Sequence, residues 1–459
     1  MEITCQLNPA ADQPLYEQLY RHIASEIGRG RIPRDARLPS RRALSRHLRV
    51  SESTVSAAYG LLQDEGYIRP QEKRGFFVNA VQPLPEGGPA PQPIAQPAAG
   101  PAPRFDFSTS ATDASLFPHR AWMRLMRETL HHRPDLLQRG DPQGDWPLRA
   151  ALSDFLYQYR ALRAGPERIV IGAGADYLLG VLLQLLPEGS VVAAEDPGYH
   201  GLYRACGRQR LSVLSLPVDE AGMSSARLRD SRANICYVMP SHQFPLGLSM
   251  PAGRRSELLR WAGEQPGRLI IEDDYDSEFR HQSRPLPALQ GMIHDAPVAY
   301  IGTFSRSLAP SMRLAYMVLP DALLARHRQG LYKTGETVSR FEQHTLARFI
   351  AESHYTRHLR RAGNAYAARL QRLLAQLSDI PGASVSGEQA GLHFLLTIPQ
   401  LSEQALVDRA AAAGIPLHGL SEYCRQAKAK PSTVVMGFAG LRDDQIDEAV
   451  AALRAAWGV

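Results

Sequence analysis

The stretch GTFSRSLAPSMRLAY, residues 302–316, places polar side chains between two apolar segments, where they could hold a charged ligand. Thr303 and Ser305 offer hydroxyl groups and Arg313 offers a guanidinium, so together they suit a phosphate group. Arg306 adds a second guanidinium in the middle of the stretch. This group stays charged, with a pKa above ~12, and its five N–H donors suit it to bind an anion rather than to act as a nucleophile.

Three further segments carry groups that could contact the same ligand. In GAGADYLLG, the backbone N–H groups of Gly174 and Ala175 open a helix and suit an anion. In EDPGYH, the ring of Tyr199 can lie flat against an aromatic ligand. In EDDYD, Asp273 and Tyr275 lie on the same side of an extended segment, and a carboxylate there can keep the nitrogen of a pyridine ring protonated.

The segments that must position these groups are apolar runs rich in β-prone residues. Their spacing is near 30 residues, with helical patterns between them, which predicts an α/β fold with a mostly parallel sheet covered on both faces. Ligands collect at the carboxyl ends of such strands, where the polar residues above stand. The runs lie at 168–174, 190–197, 234–241, 268–276, 298–305 and 314–320.

Length and composition limit the class of protein. A chain of 459 residues corresponds to roughly three domains of ~150 residues, and 44% hydrophobic residues can form sizeable cores. The four cysteines are far apart, which fits reduced thiols and predicts no metal site. The first residues, MEITCQLNPAADQ, predict no export signal, and the longest apolar run, LLGVLLQLL, is too short to span a bilayer. We therefore expect a cytoplasmic protein with no membrane partner.

The first eighty residues have the pattern of three helices and a hairpin. Leu15, Leu19, Ile23 and Ile27 recur every fourth residue after Pro14, and this spacing predicts the first helix. Ser40 is the predicted N-cap of a second helix, in which Ala43, Leu44 and Leu48 should face inward. Ser51 should cap a third helix that buries Val55, Ala58, Tyr59 and Leu62. YIRPQEKRGFFVNA then predicts a β-hairpin, the wing of a winged helix.

This module contains a block of arginines, and a proline-rich segment follows it. Eight arginines lie between residues 29 and 49 against the single acid Asp35. Such a block can be a solvated face, but next to a helix-turn-helix pattern it favours a surface that faces phosphates.

Residues 81–103 hold eight prolines and three glycines and predict an extended linker between a domain at 1–80 and one at 104–459.

Residues 38–78, LPSRRALSRHLRVSESTVSAAYGLLQDEGYIRPQEKRGFFV, resemble the GntR family of winged helix-turn-helix regulators. The resemblance implies double-stranded DNA as a partner. It places Arg74 and Gly75 of the wing tip near the minor groove. It also implies that further contacts with DNA are made by Arg41, Arg42, Ser51, Ser53, Thr54 and Ser56. Glu52 departs from the family, because relatives often have a base-reading arginine there. A carboxylate can accept from cytosine but repels phosphates, so the operator sequence does not transfer.

The second domain is similar to fold type I aminotransferases, and the two-domain order resembles the MocR/GabR regulators. The motifs that carry the resemblance are GDPQGDWPLRAALSDFL, EDPGYH, PSHQFPLG, EDDYDSEF and GTFSRSLAPSMR, in this order. The resemblance implies pyridoxal phosphate as cofactor, with Gly174 and Ala175 at its phosphate, Tyr199 on its ring and Asp273 at its pyridine nitrogen. Tyr275 and either His242 or Gln243 would lie near its phenolic oxygen.

In this resemblance, Arg306 takes the place of the lysine that forms the imine with the cofactor. Arginine does not form that bond, so the cofactor would be non-covalent. Three alternatives remain: the pocket holds the cofactor or its amino-acid adduct, it holds another anion clamped by Arg306, or it is empty and the domain only dimerises. Of the four lysines, only Lys333 could substitute by position.

The function that these observations favour is a DNA-binding transcriptional regulator. Its aminotransferase-like domain would form a homodimer and sense a small anionic or amino-acid effector, without enzyme activity. One alternative is an active aminotransferase that carries a DNA-binding appendage, against which the loss of the lysine argues. The other is a dimeric DNA-binding scaffold without a ligand.

Overall fold

A computed structural model describes residues 3–81, 103–281, 286–293, 295–330 and 335–459. The chain divides into two compact units, Met1–Gly100 and Pro101–Val459. Most of the proline-rich segment 81–103 lies outside the described residues, as does Lys333, so the predictions made for them are not tested. Within the described ranges, no helix is both long and apolar enough to cross a membrane.

The first unit consists of three helices and a hairpin, as the sequence predicts. Ser40 Oγ accepts from the N–H of Ala43 at 3.2 Å, and Ser51 Oγ accepts from the N–H of Thr54 at 3.1 Å, so both predicted N-caps are confirmed. The elements are α1 (Leu15–Gly28), α2 (Arg41–Leu48), α3 (Glu52–Asp64), β1 (Ile68–Gln71) and β2 (Gly75–Val78). β1 and β2 pair in antiparallel register.

The core of this unit follows the predicted helical stripes, with one exception. The buried residues include Leu19, Ile23, Ile27, Leu44, Val55, Ala58, Tyr59 and Leu62. Ala43, which we expected to face inward, is exposed, and Ser45 is buried in its place. Ser45 Oγ donates to the carbonyl of Arg42 at 3.2 Å, which satisfies its polar atom and allows burial of the small side chain.

The second unit contains helices and strands in alternation, as the spacing of apolar runs predicts. Its helices are α4 (His119–His132), α5 (Trp146–Arg160), α6 (Ala175–Gln184), α7 (His200–Arg208), α8 (Ser225–Asp230), α9 (Ala252–Glu264), α10 (Leu289–Met292), α11 (Asp321–Gly330), α12 (Arg340–Ala351), α13 (His354–Leu377), α14 (Glu403–Ala412) and α15 (Ile446–Trp457). Its strands are β3 (Ile169–Gly172), β4 (Val191–Asp196), β5 (Ser212–Asp219), β6 (Gly222–Met223), β7 (Ile235–Val238), β8 (Leu269–Asp274), β9 (Val298–Thr303), β10 (Ala315–Val318), β11 (Ser384–Ser386), β12 (His393–Thr397), β13 (His418–Gly419) and β14 (Thr433–Gly437).

Among the described residues, eight strands form the main sheet in the order β3-β10-β9-β8-β7-β4-β5-β6. The pairs from β9 to β5 are parallel, whereas β10 runs antiparallel to both β3 and β9, and β6 runs antiparallel to β5. The sheet is therefore mostly parallel, and the predicted fold class is confirmed. Each predicted run contains a strand, whereas the strands β5 and β6 were not predicted.

Apolar side chains cover both faces of this sheet. Leu178 and Leu182 of α6 pack with Ile271 of β8 on one face, and Leu258 and Trp261 of α9 pack on the other. A second sheet, β11-β12-β14-β13, is antiparallel, and the sequence patterns did not predict it. Phe394 of β12 and Leu453 of α15 belong to the large core beside it.

Candidate functional site

The polar residues at the start of α3 are available at the surface of the first unit. Ser51 and Ser53 are exposed, and Thr54 and Ser56 are half-buried. Ser51 Oγ lies 2.7 Å from Ser53 Oγ and 2.8 Å from Thr54 Oγ1, in addition to capping α3. Ser51 thus has a structural role of its own, and the contact of these four residues with DNA stays a prediction.

The arginine block forms an exposed basic surface. Arg29, Arg31, Arg34, Arg37, Arg41, Arg42, Arg46 and Arg49 are all exposed. Within the described residues, three of them lie within 4 Å of an acid: Arg31 of Glu26, Arg34 of Asp35 and Arg42 of Glu52. The other five have no ion pair there, so their charge is free to attract phosphates.

One cation–π contact connects this surface with the wing, and a second lies within the wing itself. The guanidinium of Arg41 lies 5.0 Å from the ring centroid of Phe76, and that of Arg74 lies 5.4 Å from the ring centroid of Phe77. Gly75 has a positive φ of 99°, which allows the tight turn at the wing tip. Glu52, which replaces the family's arginine, has its carboxylate 3.9 Å from Arg42, and both side chains are exposed.

In the second unit, a cavity of about 330 Å³ lies at the carboxyl ends of the parallel strands. Its volume is within the range usual for small-molecule sites, ~300–1,000 Å³. Eight of the predicted residues line it: Ala175, Tyr199, Asp273, Tyr275, Thr303, Ser305, Arg306 and Arg313. The other lining residues were not predicted from the sequence, and they are Thr109, Ser110, Asp176, Leu179, Met239, Phe244 and Pro310.

One end of the cavity has the groups expected for a phosphate. Gly174 precedes α6 with a positive φ of 98°, and a Cβ atom there would lie 2.4 Å from Nη2 of Arg313. Only glycine therefore permits the guanidinium of Arg313 to approach the start of the helix. Thr303 Oγ1 and Ser305 Oγ are 3.0 Å apart in the same cavity. Hydroxyls, a guanidinium and the first N–H groups of a helix thus converge.

Asp273 is the buried carboxyl of the cavity. The hydroxyl of Tyr237 donates to Asp273 Oδ2. Burial raises the pKa of Asp273 to about 7, and the hydrogen bond from Tyr237 opposes this rise. Burial therefore favours the protonated carboxyl, and a cationic partner such as a pyridinium would stabilise its charged form.

Tyr199 is held at the side of the cavity by a hydrogen bond. Its hydroxyl donates to Asp176 Oδ1 at 2.6 Å. Burial raises the pKa of Tyr199, and the bond to Asp176 raises it further. Asp176 follows the glycine turn by two residues, but nothing in the sequence marked it as the partner of a residue 23 positions away.

Tyr275 connects the cavity with a buried histidine. Its hydroxyl lies 3.0 Å from Nδ1 of His242, which also lies 3.0 Å from both carboxylate oxygens of Asp276. His242 is behind Tyr275 and does not line the cavity. The side chain of Gln243 does not line it either, because its amide bonds to the backbone: Nε2 donates to the carbonyl of Phe244 in its own turn and to that of Pro197 in the loop after β4. The cofactor contacts of His242 and Gln243 stay predictions.

His242, Asp276 and His393 offer ligand atoms within 4.8 Å of one another, which is compatible with a metal ion. Hydrogen bonds already occupy most of these atoms: Asp276 accepts from His242 and from the N–H of Leu392, and His393 Nε2 contacts the carbonyl of Pro245 at 3.1 Å. The expectation of no metal site stays a prediction.

Arg306 has no polar partner among the described residues. Its Nη1 atom is buried without a hydrogen-bond acceptor. Burial lowers the pKa of the guanidinium, while the charge of Asp276 opposes this shift. The described lysines, Lys73, Lys428 and Lys430, do not line the cavity.

A larger cavity of about 410 Å³ lies between α5 and α13 and contains none of the predicted residues. The acid that lines it is Glu278, whose pKa desolvation raises to about 8. The hydroxyl of Tyr355 donates to Glu278 Oε1 at 3.3 Å. The smaller cavity is the candidate functional site, because the groups suited to phosphate and to an aromatic ring converge there.

A winged helix followed by a larger α/β unit defines a class of DNA-binding protein with a second domain. Residues 15–78 match the bacterial regulatory proteins of the gntR family, and residues 106–453 match aminotransferase class I and II. The second match covers well over half of the chain.

Proteins with both parts are similar to this chain over nearly their whole length. The uncharacterized HTH-type transcriptional regulator YdeL of Bacillus subtilis is 37% identical, with 100% of each chain covered. The probable rhizopine catabolism regulatory protein MocR of Rhizobium meliloti is 31% identical, with 98% of this chain and 95% of MocR covered. The chain belongs to the MocR-type HTH transcriptional regulators, in which a GntR winged helix precedes an aminotransferase-like domain.

A solved structure supports the fold of the second unit. LysN, the alpha-aminoadipate aminotransferase of Thermus thermophilus, is 25% identical, with a TM-score of 0.67 and coverage of 77% of this chain and 92% of LysN. That crystal structure is of LysN complexed with N-(5'-phosphopyridoxyl)-L-leucine.

Proposed function

We propose that the aminotransferase-like unit is a ligand sensor that holds pyridoxal phosphate without a covalent bond. The observation that carries the proposal is the lining of the cavity: two guanidiniums, a buried carboxyl and hydroxyls, with no lysine among the described lining residues. The effector would be a small anion or an amino acid that binds beside the cofactor or forms an adduct with it.

The residues present fit such a cofactor. Arg313, Thr303, Ser305 and the N–H of Ala175 would hold its phosphate, at the end where Gly174 lets the guanidinium reach the helix. Asp273 would pair with its pyridine nitrogen. Tyr199 would lie against its ring and Tyr275 would contact its phenolic oxygen. When bound to a lysine, this cofactor supplies an electron sink for amino-acid chemistry.

The same lining argues against amino-group transfer. Transfer needs an amine that is both nucleophile and proton carrier, and a guanidinium cannot take either role near neutral pH. Arg306 donates hydrogen bonds only, so it can orient an acceptor but cannot remove a proton. We therefore propose a binding domain rather than an enzyme.

We also propose domain limits of 1–80 and 104–459, joined by the linker 81–103. The family matches at 15–78 and 106–453 lie inside these limits. A linker of this composition would tether the two parts without fixing them.

We further propose that the second unit forms a homodimer. Trp146 and Tyr157 are exposed by 54% and 59%, and they are 11 residues apart on α5, which is about three helical turns and places them on one face. Met123 and Leu137, from neighbouring elements, are also exposed, by 60% and 69%. Large exposed apolar side chains of this kind are typical of interaction surfaces.

We expect the protein to sediment as a dimer at micromolar concentration. The double substitution Trp146→Ser with Tyr157→Ser should shift it toward monomer, because it removes apolar area from the proposed interface. Tyr16→Ser, at an exposed tyrosine of the first unit, is the matched control and should leave the dimer intact. A monomeric wild type would contradict the proposal.

The test of the sensor is the affinity for DNA. A ligand shifts the DNA-binding equilibrium only if it prefers one arrangement of the winged helices. Affinity for a duplex that the protein enriches from a random library should therefore change when pyridoxal phosphate and amino acids are added. Asp273→Ala should abolish the change, and Asp230→Ala, at an exposed acid of α8, should preserve it.

Other outcomes of this titration favour the alternatives. A change that survives Asp273→Ala but not Arg306→Ala supports an anion other than the cofactor, clamped by Arg306. No change with any ligand supports a dimeric scaffold. Transfer of amino groups to a keto acid by the wild-type protein supports an enzyme.

A further inference from the structure

The cavity contains more cationic donors than its own acids can satisfy. Asp176 and Asp273 are the acids that line it, and each accepts a hydrogen bond from a tyrosine, Tyr199 and Tyr237 respectively. Among the described residues, neither acid lies within ion-pair distance of Arg306 or Arg313. A ligand that complements this lining must therefore bring acceptor groups to two separate guanidiniums.

The two guanidiniums have different surroundings. Arg313 is exposed and lies against Gly174 at the start of α6, with the hydroxyls of Thr303 and Ser305 in the same cavity. The end of the cavity at Arg313 therefore suits a phosphate. Arg306 has a buried Nη1 atom without an acceptor among the described residues. A buried donor that stays unpaired is costly, so the bound state that satisfies Arg306 is the favoured one.

The chemistry of the ligand at Arg306 follows from what a guanidinium can do. It donates five hydrogen bonds and accepts none, and it stays charged. A carboxylate or a carbonyl oxygen at that point accepts its N–H groups. An ammonium group cannot accept, and its positive charge is repelled.

We infer that the cavity selects among phosphorylated pyridines by the substituent that meets Arg306: it takes an oxygen acceptor, as in pyridoxal phosphate, and rejects an amine, as in pyridoxamine phosphate. This inference rests on the proposed function, since it assumes that the phosphate binds at Arg313 and the pyridine nitrogen at Asp273. The substituent opposite the pyridine nitrogen then points away from Asp273 and is the one left for Arg306. A site that catalyses transamination must bind both pyridoxal phosphate and pyridoxamine phosphate, whereas a sensor can bind one of the two and reject the other.

Four pyridine phosphates that differ at this one substituent test the inference by calorimetric titration of the full chain. Affinity should fall in the order carboxylate (pyridoxic acid phosphate), aldehyde (pyridoxal phosphate), alcohol (pyridoxine phosphate), amine (pyridoxamine phosphate). A charge-assisted hydrogen bond changes affinity by roughly 10- to 100-fold, which is the difference expected between the ends of the series. Equal affinity for all four would overturn the inference.

Variants separate the role of Arg306 from that of the rest of the cavity. Arg306→Gln should reduce the differences in affinity among the four ligands, because an amide both donates and accepts hydrogen bonds. Arg229→Gln, at an exposed arginine of α8, should keep the wild-type order. If the four affinities differ as much in Arg306→Gln as in the wild type, another group selects the ligand, and the inference is wrong. If Arg306→Gln does not fold, the wild-type series alone decides.

The failure of this inference is distinguishable from the failure of the proposed function. Binding of all four ligands without discrimination refutes the selection by Arg306 and leaves the cofactor site in place. Binding of none of them refutes both.

Discussion

Arg306→Lys should turn a protein without covalent pyridoxal phosphate into one that carries about one pyridoxyl group per chain after borohydride reduction. The wild-type cavity has a guanidinium at this position, which does not form an imine with the aldehyde. A lysine there would place an amine in a cavity that already has Asp273, Tyr275 and Arg313. Peptide mass mapping after reduction identifies the modified residue.

The controls distinguish a site from general reactivity. Arg229→Lys adds a lysine at an exposed position of α8 and should show only the low background labelling of a surface amine. The wild type should show that background as well. A stoichiometric adduct on wild-type Lys333 would contradict the non-covalent proposal. An unlabelled Arg306→Lys protein that is folded would mean that the cavity does not hold the cofactor.

This experiment also tests whether Arg306 occupies the position of the imine-forming lysine of aminotransferases. The alignment of the lysine with Arg306 rests on the motif GTFSRSLAPSMR. The cavity supports it independently, because Arg306, Asp273 and Tyr275 line one space although β9 separates their positions in the chain. Covalent labelling of Arg306→Lys would be chemical evidence for the same correspondence.

The parts of the fold that the sequence predicted are those that local physics determines. Ser40 and Ser51 cap helices because a hydroxyl can accept from an N–H group three residues later, and that relation is visible in the sequence. The six apolar runs became strands because both faces of the sheet are covered. The residues after these strands meet in the cavity for the same reason, since the ends of parallel strands share one edge.

The parts that were missed depend on distant contacts. Thr109 and Ser110 line the cavity, yet they precede the first strand of the sheet by about 60 residues and belong to no apolar run. Gln243 was expected at the cofactor, but its amide bonds to the backbone of its own turn and to the carbonyl of Pro197, 46 residues earlier in the chain. The direction of a polar side chain in a loop depends on which backbone N–H and C=O groups need a hydrogen-bond partner, and these groups cannot be identified from the sequence.

Ala43 shows the same limit inside a helix. Three positions of α2 had suitable spacing for the core, but a short helix can rotate to bury a small polar residue whose hydroxyl bonds to its own backbone. Ser45 was buried in this way, and Ala43 turned outward. Periodicity therefore located the helix correctly but did not settle its buried face.

The affinity for DNA should fall steeply with salt, and the first unit should determine this dependence. Each phosphate neutralised releases condensed counterions, so the logarithm of the affinity falls with the logarithm of the salt concentration by about 0.9 per contact. Five exposed arginines of the block have no acidic partner among the described residues, and Arg42 has only Glu52, at 3.9 Å. If these six arginines contact phosphates, one winged helix should give a slope of about −5.

Substitutions within this surface should separate phosphate contacts from base contacts. Arg42→Ala should weaken binding to all sequences and make the salt slope shallower by about 1, because its predicted partner is a phosphate. Ser53→Ala should instead change the preference between sequences, since Ser53 is exposed at the start of α3 and is not the residue that caps it. Arg21→Ala is the matched control, because Arg21 is exposed on α1 and is paired with Glu17.

Both effects can be measured by competition between a selected duplex and unrelated duplexes over a series of salt concentrations. If Arg42→Ala and Ser53→Ala gave the same uniform loss, α3 would not lie in the groove, and the arginine block would act only as a charged surface. If Arg21→Ala weakened binding as much as Arg42→Ala, net charge rather than position would explain the affinity. A change of preference confined to Ser53→Ala would assign the start of α3 to the bases, because phosphates are the same in every sequence.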